Sequence, residues 1–208
     1  MSTNRFDDMA TTWDDDPAKV ERAKVVARAI REAVPLDRSV RMLEYGAGTG
    51  LVTQALRDAV GPVTLVDTSA GMRDVIEQKI ATGAINDARV WDVDFAAEPP
   101  SVEDFDLVVT VMALHHVADE EAVLSRFADL LVERGHVCIV DLEREDGSFH
   151  GADFDGHHGF DRAGLASILE RVGFTDVTFE HCHDMVRDGV TYPLFLATAT
   201  KRGIDRRS

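Results

Sequence analysis

The chain has 208 residues, 45% of them apolar and 29% charged, with a formal net charge of −16. That length suits one domain with a full core. The acidity argues against direct nucleic-acid binding and against docking to an anionic membrane, since both need clustered Lys and Arg. Two cysteines, Cys138 and Cys182, form no disulfide framework and no CxxC metal motif. A single disulfide stays open, but a reducing cytoplasm is the expected compartment. The stretch MSTNRFDDMATTWDDD lacks an apolar signal-peptide core, and no segment approaches a transmembrane span, so a soluble protein is expected.

Apolar residues at helical spacing in Val20, Ala23, Ala27 and Ile30, after Pro17, predict a first long helix. Val40 to Tyr45 reads as a short strand ending in a glycine cluster, followed by a helix from about Thr49 with Leu51, Ala55, Leu56 and Ala59. VTLVD, residues 63–67, is the next strand. Met72, Val75, Ile76 and Ile80 mark another helix, which Gly83 can end. A weak strand is expected near residues 88–93, and FDLVVTVMAL reads as a strand covered on both faces. Val123, Phe127, Leu130 and Leu131 give a helix before the buried strand GHVCIVDLE. After a polar stretch, residues 145–161, comes a helix with Leu165, Ile168, Leu169 and Val172. FTDVTFEHCH and TYPLFLATAT then form two strands separated by DMVRDGV, too short a spacer for a helical crossover. They must be antiparallel, and the whole alternation is α/β: a doubly wound, mostly parallel sheet in a single domain.

In such a sheet, ligands sit outside the carboxyl ends of the strands, where MLEYGAGTG leaves the first one. The dinucleotide fingerprint G-x-G-x-x-G fails here: counted from Gly46 the third glycine falls on Leu51, and counted from Gly48 it falls on Thr53. The pattern is instead Glu44-x-Gly46-x-Gly48-x-Gly50. An acidic residue beside the loop repels a pyrophosphate and favours a cation or ammonium group. A ligand with a positive amino-acid part therefore fits better than NAD.

LEYGAGTG resembles the first motif of the class I S-adenosylmethionine-dependent methyltransferases, and the resemblance extends over nearly the whole chain. LVDTSAGM is similar to their second-strand segment, DVDFAAEPP to the segment facing adenine, and FDLVVTVMALHHV to the fourth strand of the subgroup related to quinone-biosynthesis methyltransferases. The resemblance implies a seven-stranded Rossmann-like sheet with an antiparallel C-terminal strand, and S-adenosylmethionine as cofactor, with S-adenosylhomocysteine as product. It places Glu44, Gly46, Ala47, Gly48 and Gly50 at the methionine end and Asp67 and Thr68 at the ribose. Met72, Asp94, Phe95 and Met112 are the further cofactor contacts. Plainer readings stand beside these: Asp67 as a helix cap, Asp92 in place of Asp94, Met72 as core. A carboxylate can accept both vicinal ribose hydroxyls, one on each oxygen, which suits Asp67.

Phe6, Met9 and Trp13 share one helical face if the first residues are helical. In similar methyltransferases this segment is a lid, so residues 1–35 are expected to form a helical cap and residues 36–208 the methyltransferase domain. A helix stapled to the sheet for stability alone is the rival reading. For an acceptor that must lose a proton, His115 and His116 after the fourth strand are the candidate bases, with His157 and His158 further candidates beside His150. In HCHD, strand alternation turns Cys182 away from His181 and His183, leaving too few ligands, so no metal is expected. The expected function is methyl transfer from S-adenosylmethionine to a small molecule, with no nucleic-acid or membrane partner. A cofactor-binding but non-catalytic regulatory protein and an NAD-type oxidoreductase are the alternatives.

Overall fold

The computed structural model describes residues 5–95, 103–151 and 153–203. Residues 96–100 of DVDFAAEPP and Ala152 of FHGADFDGHHGFD thus lie outside the described residues, as do the first four residues of the expected cap. Seven strands form one sheet in the order β3-β2-β1-β4-β5-β7-β6, and the chain divides into two compact units, residues 1–94 and 95–208.

In the first unit a short helix, α1 (Arg5–Met9), runs into a 3₁₀ turn (Ala10–Asp15) and then α2 (Pro17–Ala33). Asp16 caps α2 by accepting from the Ala18 N–H at 2.9 Å, with Pro17 pre-set for the first turn. α2 buries Ala23, Val26, Ala27 and Ile30. β1 (Met42–Tyr45), β2 (Val63–Val66) and β3 (Ala88–Trp91) run parallel, Met42 opposite Val63 and Val63 opposite Ala88. All eight residues of β1 and β2 are buried, whereas β3 is half-exposed. That exposure is why β3 read as weak from the sequence. α3 (Leu51–Leu56) follows β1, and α4 (Ala70–Ala81) follows β2 with Ser69 as its cap.

In the second unit β4 (Phe105–Val111), a 3₁₀ turn (Leu114–His116), α5 (Glu120–Leu130) and β5 (Leu131–Leu142) form the βαβ crossover, with β4 and β5 parallel. α6 (Arg162–Arg171) leads to β6 (Phe174–Arg187) and β7 (Val190–Lys201), both antiparallel to their neighbours. Leu131, expected in the helix, is the first residue of β5. The expected spacer DMVRDGV is mostly strand: pairing continues to Arg187–Val190, and Asp188 and Gly189, with φ of 52° and 79°, make a two-residue turn. Two successive left-handed residues give the turn twist that antiparallel strands need, so no longer loop is required. Both cysteines are free. Among the described residues no helix is long and apolar enough to cross a membrane.

Phe127, on α5, is fully buried and edge-on to Phe95 at 6.2 Å between centroids. Phe127→Ala is expected to cost about 3–5 kcal/mol in urea unfolding. Val186→Ser, at a position 70% exposed, should stay within about 0.5 kcal/mol.

Candidate active site

Three glycines in left-handed backbone, Gly46, Gly48 and Gly50 (φ of 65°, 56° and 79°), carry the chain from β1 into α3. They need the conformation for different reasons. A Cβ on Gly50 would stand 2.9 Å from Ile85 Cδ1 and 3.0 Å from Leu65 Cδ2, so this glycine also serves close packing. Among the described residues a Cβ on Gly48 would meet only Trp13 Nε1, at 3.9 Å, so there the loop backbone lies open on one side.

Two acidic side chains hold the loop. Asp67, just beyond β2, accepts the Gly48 N–H on Oδ2 at 2.7 Å and the Ser69 N–H on Oδ1 at 2.9 Å. Burial raises its carboxyl above the ordinary value, and those two N–H groups oppose the rise. Glu44, 2% exposed, accepts on Oε2 from both the backbone N–H and the hydroxyl of Thr53. Burial is nevertheless the larger influence and pushes Glu44 up to about 7. Tyr45 is raised as well, by burial first and then by Asp94 and Asp67.

Of the other expected cofactor contacts, Ala47 is buried and Thr68 exposed. Met72 is 1% exposed in the core side of α4, and Phe95 is 1% exposed against Phe127. Asp94 is exposed, while Asp92 is engaged by Arg73 Nη2 at 2.9 Å. Met112, at the end of β4, has a φ of 54°. Such a backbone is costly for a bulky residue and clusters at functional positions; the Met112 N–H bond to Val140 O, 2.8 Å, helps to hold it.

The N-terminal segment is latched over the loop at two points. Asp7 accepts from the Ser69 hydroxyl at 2.5 Å and the Gly71 N–H at 2.9 Å, which lowers its carboxyl below the ordinary value. Asp14 accepts from the Thr49 hydroxyl and pairs with Lys79 Nζ, each at 2.5 Å. Between the latches Phe6 meets Trp13 edge-on at 6.1 Å, and Lys19 Nζ lies 4.1 Å from the Trp13 ring centre. The three-residue apolar face expected from Phe6, Met9 and Trp13 does not run along one α-helix, because the 3₁₀ turn intervenes at Ala10.

In the second unit His115 is 1% exposed, its Nδ1 2.6 Å from Asp141 Oδ1, and its backbone N–H reaches Asp141 Oδ2 at 3.2 Å. Asp141 Oδ1 also accepts the Leu142 N–H, so it is the acceptor and His115 Nδ1 the donor. The rings of His116 and His150 lie 4.1 and 5.0 Å from that of His115. His157 and His158 are turned to glutamates instead, Glu120 at 3.1 Å and Glu145 at 3.3 Å. Asp141 was missed from the sequence, although one acid inside the apolar run VCIVDLE was a signal. His181 sits 3.6 Å from Asp184 on the exposed part of β6, and a register shift at Cys182 interrupts the alternation expected there.

The profile of the methyltransferase domain family matches residues 19–179. An uncharacterized methyltransferase of Oceanobacillus iheyensis is 29% identical over 174 residues, which is 80% of this chain and 78% of the relative. Another, of Schizosaccharomyces pombe, is 31% identical over 117 residues, 53% of this chain; the match spans only 41% of that relative. The solved structure of N-methyltransferase NodS from Bradyrhizobium japonicum WM9, in complex with S-adenosyl-L-homocysteine, is similar with a TM-score of 0.69. It covers 90% of this chain and 89% of its own, and at 19% identity the likeness is one of fold.

The two glycines should separate in unfolding experiments. Gly50→Ala is expected to lose about 2–3 kcal/mol, from left-handed strain and the tight neighbours together. Gly48→Ala should lose about 1 kcal/mol, from backbone strain alone.

Proposed function

The chain belongs to the methyltransferase domain family, with S-adenosylmethionine as its cofactor, and from this premise we propose that it methylates a small-molecule acceptor in the cytoplasm. The observation that carries the cofactor side is the open backbone at Gly48 tied to a half-buried carboxylate, Asp67. The residues present fit the cofactor. A Cβ at Gly48 would stand in the open space where a ligand can lie, and Asp67 keeps lone pairs for two further donors. Asp67 would take the ribose hydroxyls, and Glu44 would face the cationic amino-acid part. Asp94 would face the adenine amine, as the resemblance of DVDFAAEPP implies. Met72, Phe95 and Met112 would shape the apolar surroundings.

When bound, the cofactor supplies a methyl carbon activated by sulfonium and open to in-line displacement. The protein's own contribution is placement and exclusion of water, which can supply a large part of such a rate. The N-terminal segment serves this as a lid, its Trp13 indole above Gly48 and its two carboxylates clasping Ser69 and Thr49. For an acceptor that must lose a proton, His115 and His116 are the assigned groups. Asp141 holds His115 in the tautomer whose Nε2 carries the lone pair. His157 and His158, each facing a glutamate, are secondary candidates.

Glu44 makes cofactor affinity depend on pH. Its folded value of about 7 lies above the ordinary 4.5. In the free protein this group's stabilisation is therefore present below 4.5 and lost as pH rises through 7. A cationic ligand reverses the preference by favouring the carboxylate. Affinity measured calorimetrically should rise from pH 5.5 to about 7.5 with proton release, and Glu44→Gln should flatten that rise. Asp67→Asn should weaken binding about tenfold or more, roughly one charge-assisted hydrogen bond; unchanged binding in both variants refutes the cofactor assignment.

The lid is tested by the double variant Asp7→Asn, Asp14→Asn. Stopped-flow release of S-adenosylhomocysteine is expected to accelerate about tenfold, about 1.4 kcal/mol. Unaltered release and turnover would leave the segment a staple for stability.

A further inference from the structure

His115, His116 and His150 each place a ring nitrogen so that the three atoms lie within 4.8 Å of one another. His115 and His116 come from the 3₁₀ turn after β4, and His150 from the loop after β5. His150 is distant in sequence from the adjacent pair His115 and His116, and the fold brings the three together. The loop is built to hold His150 in place. Glu145 Oε2 accepts the N–H groups of Gly147 and Phe149, Arg187 donates to the Phe149 carbonyl, and Phe154 stacks on the His150 ring at 3.9 Å. Gly156 is pressed against the His115 carbonyl, which accepts the His157 N–H at 2.8 Å.

The orientation of His115 is fixed independently. Its Nδ1 is spent on Asp141, so Nε2 is the atom it offers, and that atom is buried without a hydrogen-bond partner among the described residues. A buried polar atom left unsatisfied costs about 1–3 kcal/mol, so a structure that pins the ring in this way implies a partner for Nε2. Imidazole nitrogens gathered this closely repel once protonated, and a single divalent cation satisfies them together. The carboxylate behind the first histidine is the arrangement that orients a metal-bound imidazole and strengthens it as a ligand.

We propose that His115, His116 and His150 form a binding site for one zinc-class divalent metal ion, with Asp141 positioning His115. Three neutral imidazoles suit zinc and its neighbours over calcium or magnesium, which take oxygen ligands. Three protein ligands leave a fourth position, the mark of an open site. That position would take water, or an oxygen or nitrogen of an acceptor, and lower its pKa. On this reading an acceptor held at that position would lose its proton to solvent water, and His115 Nε2, being a ligand, would not be the base. The metal site does not rest on the methyltransferase reading, and its presence is measurable without turnover.

The test uses the full chain, stripped with a chelator and titrated with Zn²⁺ against a chromophoric competitor, then with Co²⁺. One equivalent of Zn²⁺ per chain, bound at micromolar concentration or tighter, and the visible absorption of four-coordinate cobalt are expected. The double variant His116→Ala, His150→Ala leaves the Asp141–His115 pair intact and should lose at least 100-fold in affinity. The control His181→Ala, His183→Ala, on β6, should bind as the parent does. His150→Gln alone, which keeps much of the ring's volume, covers the case in which the double variant fails to fold; it should lose at least tenfold. Absence of a stoichiometric site, or affinity that falls only in the β6 control, overturns the proposal.

Discussion

The amide of Gly48 donates to the carboxylate of Asp67, and this bond ties the end of β1 to the end of β2. Everything else in the first unit is arranged around the pair. Ser69, two residues beyond Asp67, caps α4 and receives the N-terminal segment through Asp7; Thr49, next to Gly48, receives it through Asp14. Lys79 reaches back from α4 to the Thr49 carbonyl, Gln54 and Asp14, closing a ring of polar contacts around the loop. A left-handed glycine loop without these ties would be free to sample many conformations. With them, its backbone donors are already placed before any ligand arrives.

Three acids stand at the carboxyl ends of strands, Glu44 and Asp141 buried and Asp67 half-buried, and the protein treats each differently. Glu44 is given two donors from one threonine, too few to overcome burial, and stays near neutrality in its titration. Asp67 is given two backbone amides and some solvent. Asp141, fully buried, is given two backbone amides and a histidine ring. Burying a carboxylate is costly unless donors surround it, so the donor set at each position decides how much of that cost remains.

Much of this was legible in the sequence because it is local. The glycine spacing, the acid that follows VTLV, and the 3.6-residue periodicity of α2, α4, α5 and α6 are all read within a window of a few residues. The illegible parts depend on distant partners. β6 extends through DMVR because β7 pairs with it, a contact that outweighs the polar composition of that stretch. The 3₁₀ turn breaks the N-terminal helix where Ala10 packs beside Gly71. His150 could be named as one histidine of a polar loop, but its meeting with His115 required the loop after β5 to be placed against the turn after β4. Asp141 was hidden for the opposite reason, inside a run whose apolar character dominated the reading.

The two clasps of the N-terminal segment differ in kind. Asp7 is held by a hydroxyl and an amide, which carry no net charge, whereas Asp14 is held in part by the ammonium of Lys79. Added salt screens an ion pair far more than a short dipolar bond. In a chain of net charge −16, it also relaxes the general repulsion among the acids. Rising ionic strength therefore weakens chiefly the direct ion pair of Asp14 with Lys79, Asp7 having only the more remote Arg73 as a charged partner. With the lid proposed above, the Asp14 clasp next to Gly48 is the more salt-sensitive of the two, so that ligand exchange and retention of the strap become separable properties.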